Sequence, residues 1–309
     1  MPMRAMKSLI ACAVVAAATG SGCSSQASVG ATKTTTTAAA PAALSRDFLT
    51  AASCARASFC VAVGSNFRTG VSLAERWNGS RWQVMRSSAA STGLTSVSCP
   101  SSSFCMAVGD GAAQEWNGTT WRLLRTPPAS GRESVSCAKA SFCVVVGPEP
   151  AQQWNGRSWR RLPALRYGVG LASVACVSGS FCMAVGSQSN HQQTHVASRA
   201  LVWNGVTWRA TRPPSPTRFA ELTWVRCSSA SGCLAIGSQG HCPQPPQPLE
   251  QHCFFSLRWD GATWKQLPSP SDAPLVANLA CSGVTSCMAV GDCNEPANCR
   301  GTTAMVWNG

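Results

Sequence analysis

Val97–Trp121 reads VSCPSSSFCMAVGDGAAQEWNGTTW, and variants of this pattern recur so that the 309-residue chain carries six copies. Each copy has two cysteines separated by five residues, then an apolar run that ends in Gly, then Trp followed by Asn-Gly or Asp-Gly. The first cysteines lie 45, 38, 39, 51 and 54 residues apart, which is the range of propeller-blade repeats. The repeat therefore predicts an all-β fold, a β-propeller of about six four-stranded blades. The sixth copy stops at Trp307-Asn308-Gly309, so we expect the last blade to be incomplete in this chain.

Each copy divides into four short strands, a to d. In the second copy these are LTSVSC, FCMAVG, AAQEW and TWRLLR. Strand b is apolar throughout, as expected for a strand that is covered on both faces. Asn117-Gly118 predicts a tight c–d hairpin in which both residues have positive φ. Whether the loop of this hairpin has two residues or four, Trp116 and Trp121 fall on the same face of the sheet.

The N-terminal segment has the pattern of an export signal. Arg4 and Lys7 precede the apolar run Leu9–Ala18, which is too short to span a bilayer. The following GSGC resembles a bacterial lipobox and implies lipidation of Cys23; the alternative is ordinary signal cleavage nearby, which leaves Cys23 as a free thiol. We predict a signal peptide over 1–22, a Ser/Thr/Ala/Pro-rich tether over 23–46 and the β-propeller over 47–309. As a flexible coil, the tether reaches about 25–30 Å.

Sixteen cysteines remain besides Cys12 and Cys23. An even number in an exported chain favours disulfides, and no histidine keeps a fixed offset that would indicate a metal site in the repeats. The predicted pairs are Cys54–Cys60, Cys99–Cys105, Cys137–Cys143, Cys176–Cys182, Cys227–Cys233, Cys242–Cys253, Cys281–Cys287 and Cys293–Cys299.

The repeats resemble those of Asp-box (BNR-like) and kelch-like β-propellers, and more closely those of exported bacterial proteins with SCxSxxFCxAVG repeats. The resemblance covers residues 50–309. The G-x-[TS]-W end of the Asp box is present at Gly118–Trp121 and Gly261–Trp264, whereas Trp116 and Trp259 stand where the acid of that box would be. The resemblance implies a fold and little about function.

Arginine dominates the formal net charge of +13. Many arginines follow the second Trp of a repeat, which distributes positive charge around the whole array. This field suits an anionic cell-wall polymer or lipid headgroups. The chain has no nucleic-acid-binding motif, and an exported protein does not meet nucleic acid in the cell. We predict an anionic wall polymer or an envelope protein as the partner, with membrane attachment through the lipid anchor, and no cofactor.

Length variation is concentrated between strands b and c. From the Gly that ends the apolar run to the next Trp, the six repeats span 13, 7, 7, 17, 22 and 16 residues. We therefore predict long b–c loops in blades four to six, on one face of the propeller, and a binding surface there. All four histidines fall in these loops and are candidate zinc or copper ligands; the alternative, which we favour, is solvated histidines and no metal. They are His191, His195, His241 and His252.

Four residues that occur once in the repeat pattern are further binding candidates. Tyr167 is the only tyrosine and precedes blade four; Glu221 precedes the first strand of blade five. Trp224 and Arg226 replace small residues of that strand and point the same way, so they could stack on a sugar or bind an acidic group. The alternative is a tryptophan at a blade interface with the arginine stem alongside it.

These observations favour a non-catalytic, membrane-tethered binding or scaffold propeller for cell-envelope glycan or protein. The competing hypothesis is a carbohydrate-active enzyme, a sialidase-like hydrolase or a lyase, on the b–c face of blades four and five. Tyr167 and Glu221 could supply its activated pair, but the twelve acidic residues are scattered and show no pairing of general acid and base. We predict that no residue is catalytic.

Overall fold

A computed structural model describes the chain over residues 47–66, 69–86, 93–124, 133–147, 150–163, 169–192, 194–240, 252–268, 275–281, 287–292 and 302–307. The predicted signal peptide, the tether and Cys23 lie outside these residues. The described residues form 23 β-strands and no helix, so none of them belongs to a helix that could cross a membrane.

The strands fall into six sheets, which we call blades one to six in chain order. Blade one contains β1 (Asp47–Arg56), β2 (Phe59–Asn66), β3 (Ser72–Trp77) and β4 (Trp82–Met85). Blade two contains β5 (Ser96–Ser101), β6 (Phe104–Gly109), β7 (Ala112–Trp116) and β8 (Trp121–Leu124). Blade three contains β9 (Ser134–Lys139), β10 (Phe142–Val146), β11 (Gln152–Trp154) and β12 (Trp159–Arg161).

The second half of the chain repeats this order with longer strands. Blade four contains β13 (Val169–Ser178), β14 (Phe181–Ser189), β15 (Val196–Trp203) and β16 (Trp208–Thr211). Blade five contains β17 (Ala220–Ser229), β18 (Gly232–Gly240), β19 (His252–Trp259) and β20 (Trp264–Leu267). Blade six has three strands, β21 (Leu275–Cys281), β22 (Cys287–Asp292) and β23 (Thr302–Trp307).

Strands within a blade are antiparallel and lie side by side in chain order. The first strands also contact one another from blade to blade, β1 with β5, β5 with β9, and so on to β21, so they form the inner edge of the array. The architecture is a β-propeller, with five four-stranded blades and a sixth of three strands. The predicted fold class is confirmed.

One row of residues crosses each blade near its a–b hairpin. In blade one, Cys54 pairs in register with Cys60, Cys60 with Trp77, and Trp77 with Trp82. In blades one, two, four and five the first Trp also donates its indole N–H to a carbonyl of the hairpin, as Trp77 does to Ala57 at 3.1 Å. In the five four-stranded blades the row contains two tryptophan rings, whose centroids lie 5.3–5.8 Å apart. The repeat pattern thus encodes a cross-blade clamp.

Five predicted cysteine pairs are disulfides in the structure: Cys54–Cys60, Cys99–Cys105, Cys137–Cys143, Cys176–Cys182 and Cys227–Cys233. Cys281 and Cys287 are register partners in blade six, for which the backbone alone is described. The predicted pairs Cys242–Cys253 and Cys293–Cys299 involve residues outside the described part of the chain.

Neighbouring blades pack through apolar side chains and through serine hydroxyls. Ala175, Met183 and Val185 of blade four pack against Val225 and Leu222 of blade five, all of them buried. At the inner edge, serine hydroxyls accept hydrogen bonds from backbone N–H groups of the next blade. These bonds run from Cys99 N to Ser53 Oγ (2.9 Å), from Cys137 N to Ser98 Oγ (2.9 Å) and from Cys176 N to Ser136 Oγ (2.8 Å).

The c–d turns differ from the prediction in their geometry. In blade two the strands end at Trp116 and resume at Trp121, so the loop has four residues, one of the two lengths that the sequence left open. Of the pair Asn117-Gly118, the glycine alone has positive φ, 98°. Asn117 instead accepts two backbone N–H groups through its Oδ1, from Thr119 at 3.0 Å and Thr120 at 2.9 Å. The prediction of positive φ at both residues was wrong because the Asn side chain caps the turn.

The extra residues between strands b and c of blades four and five extend the strands themselves. β14 has nine residues and β15 has eight, against five and three for β10 and β11. The connection in blade four is therefore only Asn190–His195, not a long loop. The prediction of a long loop was wrong because residues 187–189 of β14 and residues 196–198 of β15 keep pairing in register.

Candidate functional site

The two ends of the propeller differ in character. The a–b hairpins and c–d turns share one end, which we call the hairpin face, and the b–c connections and the starts of the first strands share the other, which we call the loop face. The longer strands of blades four and five raise one side of the loop face. We call this raised region the ledge, defined by residues 186–200, 212–222 and 237–240.

The ledge is held together across the two blades. The connection between them runs along β15, where Val196 N donates to the Arg218 carbonyl at 2.9 Å and Ser198 N donates to Ser215 Oγ at 3.0 Å. The same connection reaches β18, since Gly240 N donates to the Phe219 carbonyl at 2.8 Å. A surface fixed from both sides in this way presents its side chains in a defined arrangement.

Arginine predominates among the charged residues of the ledge. Arg212 and Arg218 are exposed, and Arg199 is partly buried, with its Nε donating to Gln188 Oε1 at 2.8 Å. The side chains of His191 and His195 are also exposed. Glu221 is the exposed acid of this region and accepts a hydrogen bond from Ser238 Oγ at 3.1 Å. The ledge is therefore a positively charged platform.

The predicted histidine candidates are only partly brought together. His191 and His195 lie in the tight β14–β15 loop, which Asn190 closes by donating its backbone N–H to the His195 carbonyl at 3.0 Å. His252 begins β19, where the backbone alone is described, while His241 and Tyr167 lie outside the described residues. Among the described residues, no group of three or more His, Cys, Asp or Glu is placed to hold a metal ion.

Glu221 and the Trp224–Arg226 pair lie at different levels of β17. Arg226 lies five positions after Glu221, about 16 Å further along an extended strand. It directly precedes Cys227, near the hairpin face. Arg226 Nη1 donates to the Val225 carbonyl at 2.9 Å, and its guanidinium carbon lies 6.0 Å from the Trp224 ring centre. Burial lowers the pKa of Arg226.

The direction of this pair follows from the strand pleat. Val225 packs against blade four, so Trp224 and Arg226, on the opposite side of β17, face blade six. This orientation corresponds to the alternative given above, a tryptophan at a blade interface with the arginine alongside it. The expectation that both residues cluster with Glu221 on the loop face was wrong, because they lie mid-strand.

Glu133 is a residue that the sequence analysis did not single out. It lies four residues before the first Cys of its repeat, a position held by Thr50, Thr95 and Thr223 in blades one, two and five. Glu133 is only 8% exposed, and burial together with the negative charge of Asp110 raises its pKa to about 7. Aligning the repeats would have found it as a charged residue where the other copies are neutral.

Glu133 lines a small crevice between blades two and three. Val108, Ala112 and Ala113 of blade two form one wall, and Val145, Gln152 and Trp159 of blade three form the other. Gln152 is 5% exposed. Asp110 lies in the β6–β7 turn beside the crevice, with φ of 46°. The crevice combines a desolvated carboxyl group, a buried amide and apolar walls, which is the composition of many small binding sites.

Comparisons with known proteins identify the fold and no family. No family model matches the chain, and no curated protein matches it. Solved structures of similar fold include the GH74 xyloglucanase of Xanthomonas campestris, with a TM-score of 0.53 and 14% identity over 83% of this chain and 46% of that one. The extracellular domain of a putative hybrid two-component system of B. thetaiotaomicron has a TM-score of 0.53 and 8% identity over 83% of this chain and 32% of that one.

A protein of Lactobacillus plantarum matches more of its own length, 80% of that chain and 83% of this one, with a TM-score of 0.56 and 10% identity. The chain thus spans less than half of the first two proteins. At these identities the likeness concerns the fold, and it agrees with the propeller part of the resemblance to Asp-box and kelch-like proteins.

Proposed function

We propose that this chain is a non-catalytic, membrane-tethered propeller that binds an anionic polymer of the cell wall through the ledge of blades four and five. The observation that carries the proposal is the ledge itself, a raised and positively charged part of the loop face that hydrogen bonds hold in place from both blades. The five disulfides are typical of an extracytoplasmic protein. One protein of similar fold is itself an extracellular domain.

The proposal can be tested by co-sedimentation of the oxidised full-length chain, carrying Cys23→Ser to prevent lipidation, with isolated cell walls at low and high salt. The decisive variant is Arg212→Ser/Arg218→Ser on the ledge. Its matched control is Arg81→Ser/Arg157→Ser, which removes two exposed arginines from turns of the hairpin face. We expect the ledge variant to lose wall binding and the control to retain it.

Other outcomes have distinct meanings. Equal weakening of both variants, together with loss of binding at high salt, would indicate generic attraction of a basic protein to an anionic polymer and would contradict a site on the ledge. Absence of binding at either salt concentration would exclude the wall polymer and direct the search to an envelope protein.

The enzymatic alternative rests on Glu221. This carboxylate is exposed and bonded to Ser238, an arrangement that leaves it accessible to a substrate. Turnover of a fluorogenic glycoside by the purified protein, lost in Glu221→Gln, would favour a glycoside hydrolase over a binding module. We expect no turnover.

A further inference from the structure

The crevice between blades two and three is formed by two changes in the repeat. At the interface of blades one and two, Gln114 Nε2 donates to Ser72 Oγ at 3.3 Å, and both residues are buried. Gln152 occupies the same repeat position in blade three, but Gly111 stands in blade two where Ser72 stands in blade one. The hydroxyl partner is thus absent, and its loss opens a space beside the Gln152 amide.

The second change places a negative charge beside that space. Glu133 replaces the threonine of blades one and two, and Asp110 follows in the neighbouring turn. The ion pairs found among the described residues are Arg122–Glu115 and Lys265–Asp260, so no described cation neutralises Glu133 or Asp110. In a chain with a net charge of +13, this is a local concentration of negative charge that has no described counterion.

We propose that this crevice binds a divalent metal cation, with the Glu133 carboxylate and the Gln152 amide oxygen as ligands and Asp110 as the second negative charge. Carboxylate and amide oxygens are the ligands that Ca²⁺ prefers. The crevice has room for a group about the size of one water molecule, which suits a single ion. Two carboxylates balance the charge of a divalent ion, and water at the open, solvent side of the crevice completes its coordination.

The electrostatics of the crevice agree with this assignment. Desolvation and the like charge of Asp110 both raise the pKa of Glu133, and a bound cation would relieve both effects. A site with two carboxylates and one amide on an exported protein falls in the weak range of extracellular Ca²⁺ modules, a Kd of about 10⁻⁴–10⁻³ M. The site is independent of the ledge.

Terbium luminescence provides a direct test, because Trp159 lines the crevice and can transfer excitation energy to a lanthanide that substitutes for Ca²⁺. The full-length Cys23→Ser chain is first treated with a chelator at neutral pH. We expect saturable Tb³⁺ emission on tryptophan excitation, displacement by Ca²⁺, and a higher midpoint of thermal unfolding in Ca²⁺.

The variants locate the site. Glu133→Gln should weaken Tb³⁺ and Ca²⁺ binding about tenfold or more. Asp110→Asn should also weaken it, because asparagine tolerates the positive φ of this turn and removes only the charge. The control Glu115→Gln removes a charge of β7 that is paired with Arg122 and should bind as the parent does. Absence of saturable emission in the parent, or unchanged binding in Glu133→Gln, would overturn the proposal.

Discussion

Asp260 shows at the residue scale how one side chain fixes a turn. The other five repeats have Asn at this position. In the four whose turn the structure describes, the Asn side-chain oxygen accepts backbone N–H groups as Asp260 does. Asp260 Oδ1 accepts from Ala262 N at 3.0 Å and Thr263 N at 2.8 Å. These hydrogen bonds, the one from Thr263 first, hold the pKa of Asp260 far below its usual range. The turn therefore requires an acceptor, and a charge is not essential.

We accordingly predict that Asp260→Asn leaves the unfolding midpoint at neutral pH unchanged, whereas Asp260→Ala lowers it. The depressed pKa means that the carboxylate stabilises the fold above the ordinary pKa of aspartate, and that this stabilisation is lost as the pH falls toward the folded-state pKa. Thermal unfolding from pH 7 down to pH 2 should show a steeper loss for the parent than for Asp260→Asn. Parallel curves for the two proteins would contradict this account.

The pKa of Glu133 is shifted in the opposite direction to that of Asp260. Its folded-state pKa of about 7 lies above the ordinary value of 4.5, so the folded protein binds a proton more tightly than the unfolded chain. The stabilisation from that proton is fully present below about pH 4.5 and is lost as the pH rises through about 7. Asp110 is the charged neighbour that contributes to the shift, and burial is the larger cause.

Glu133→Gln should therefore remove a fall in stability that the parent shows between about pH 5 and 8 in chelator-containing buffer. At pH 8 the variant should be the more stable protein, by at most about 3 kcal/mol, the value that corresponds to the whole pKa shift. Urea unfolding at pH 5 and pH 8 measures the difference. A variant as pH-dependent as the parent would show that Glu133 is not the titrating group.

At the scale of the strand, Gly186 shows why the apolar run of each repeat ends in glycine. β13 has a register shift between Leu171 and Ser173 where it pairs with β14. This bulge brings the Gly170 carbonyl against Gly186, and a Cβ on Gly186 would collide with that backbone atom. Gly237 meets the Glu221 carbonyl in the same way in blade five. The glycine is thus required by the close approach of two backbones.

The matched substitutions are Gly186→Ala and Gly170→Ala. The first forces backbone against Cβ and should destabilise the protein by about 1–3 kcal/mol, as overpacking does. A Cβ on Gly170 meets nothing within 4 Å, so the second should be near neutral. Denaturant unfolding of both variants distinguishes a packing requirement from a general preference for glycine in this strand pair.

For the whole molecule, the inner ring of serine hydroxyls joins successive blades through side chain to backbone hydrogen bonds. Ser53 and Ser136 serve two separate interfaces, between blades one and two and between blades three and four. Blade four has Ala175 at this position and blade five has Arg226. A serine two residues before Ala175 takes over between these blades, since Val225 N donates to Ser173 Oγ at 3.2 Å. A serine hydroxyl thus accepts a backbone N–H of the next blade at each interface from blade one to blade five.

Ser53→Ala and Ser136→Ala should each lower the free energy of unfolding by about 1 kcal/mol, because each leaves an N–H of the next blade without its acceptor. Since the two sites share no partner, the double variant should show the sum. Ser58→Ala, at an exposed hairpin position, is the control. A double variant that loses much less than the sum would indicate that the blades do not contribute independently.

The sequence predicted the propeller, the five disulfides and the paired tryptophans because these depend on spacing within one repeat. Trp77 and Trp82 flank a four-residue turn, and Cys54 and Cys60 lie across a hairpin, so local geometry determines both pairs. It did not predict the crevice, because Glu133, Gln152 and Gly111 meet only when two blades pack together. The strand extensions of blade four, residues 187–189 and 196–198, are largely polar, and polar residues in a sequence are as typical of a loop as of an exposed strand.

Each of the five disulfides joins a cysteine to the next cysteine along the chain. A polypeptide that crosses a membrane from its N-terminus therefore exposes the two members of each of these pairs one after the other, only six positions apart. An oxidant at the exit of the translocation channel could join them in order of arrival, before the next blade emerges. For each of these five bonds, the correct partner is also the nearest cysteine in the sequence, so the partner is the cysteine that emerges closest in time.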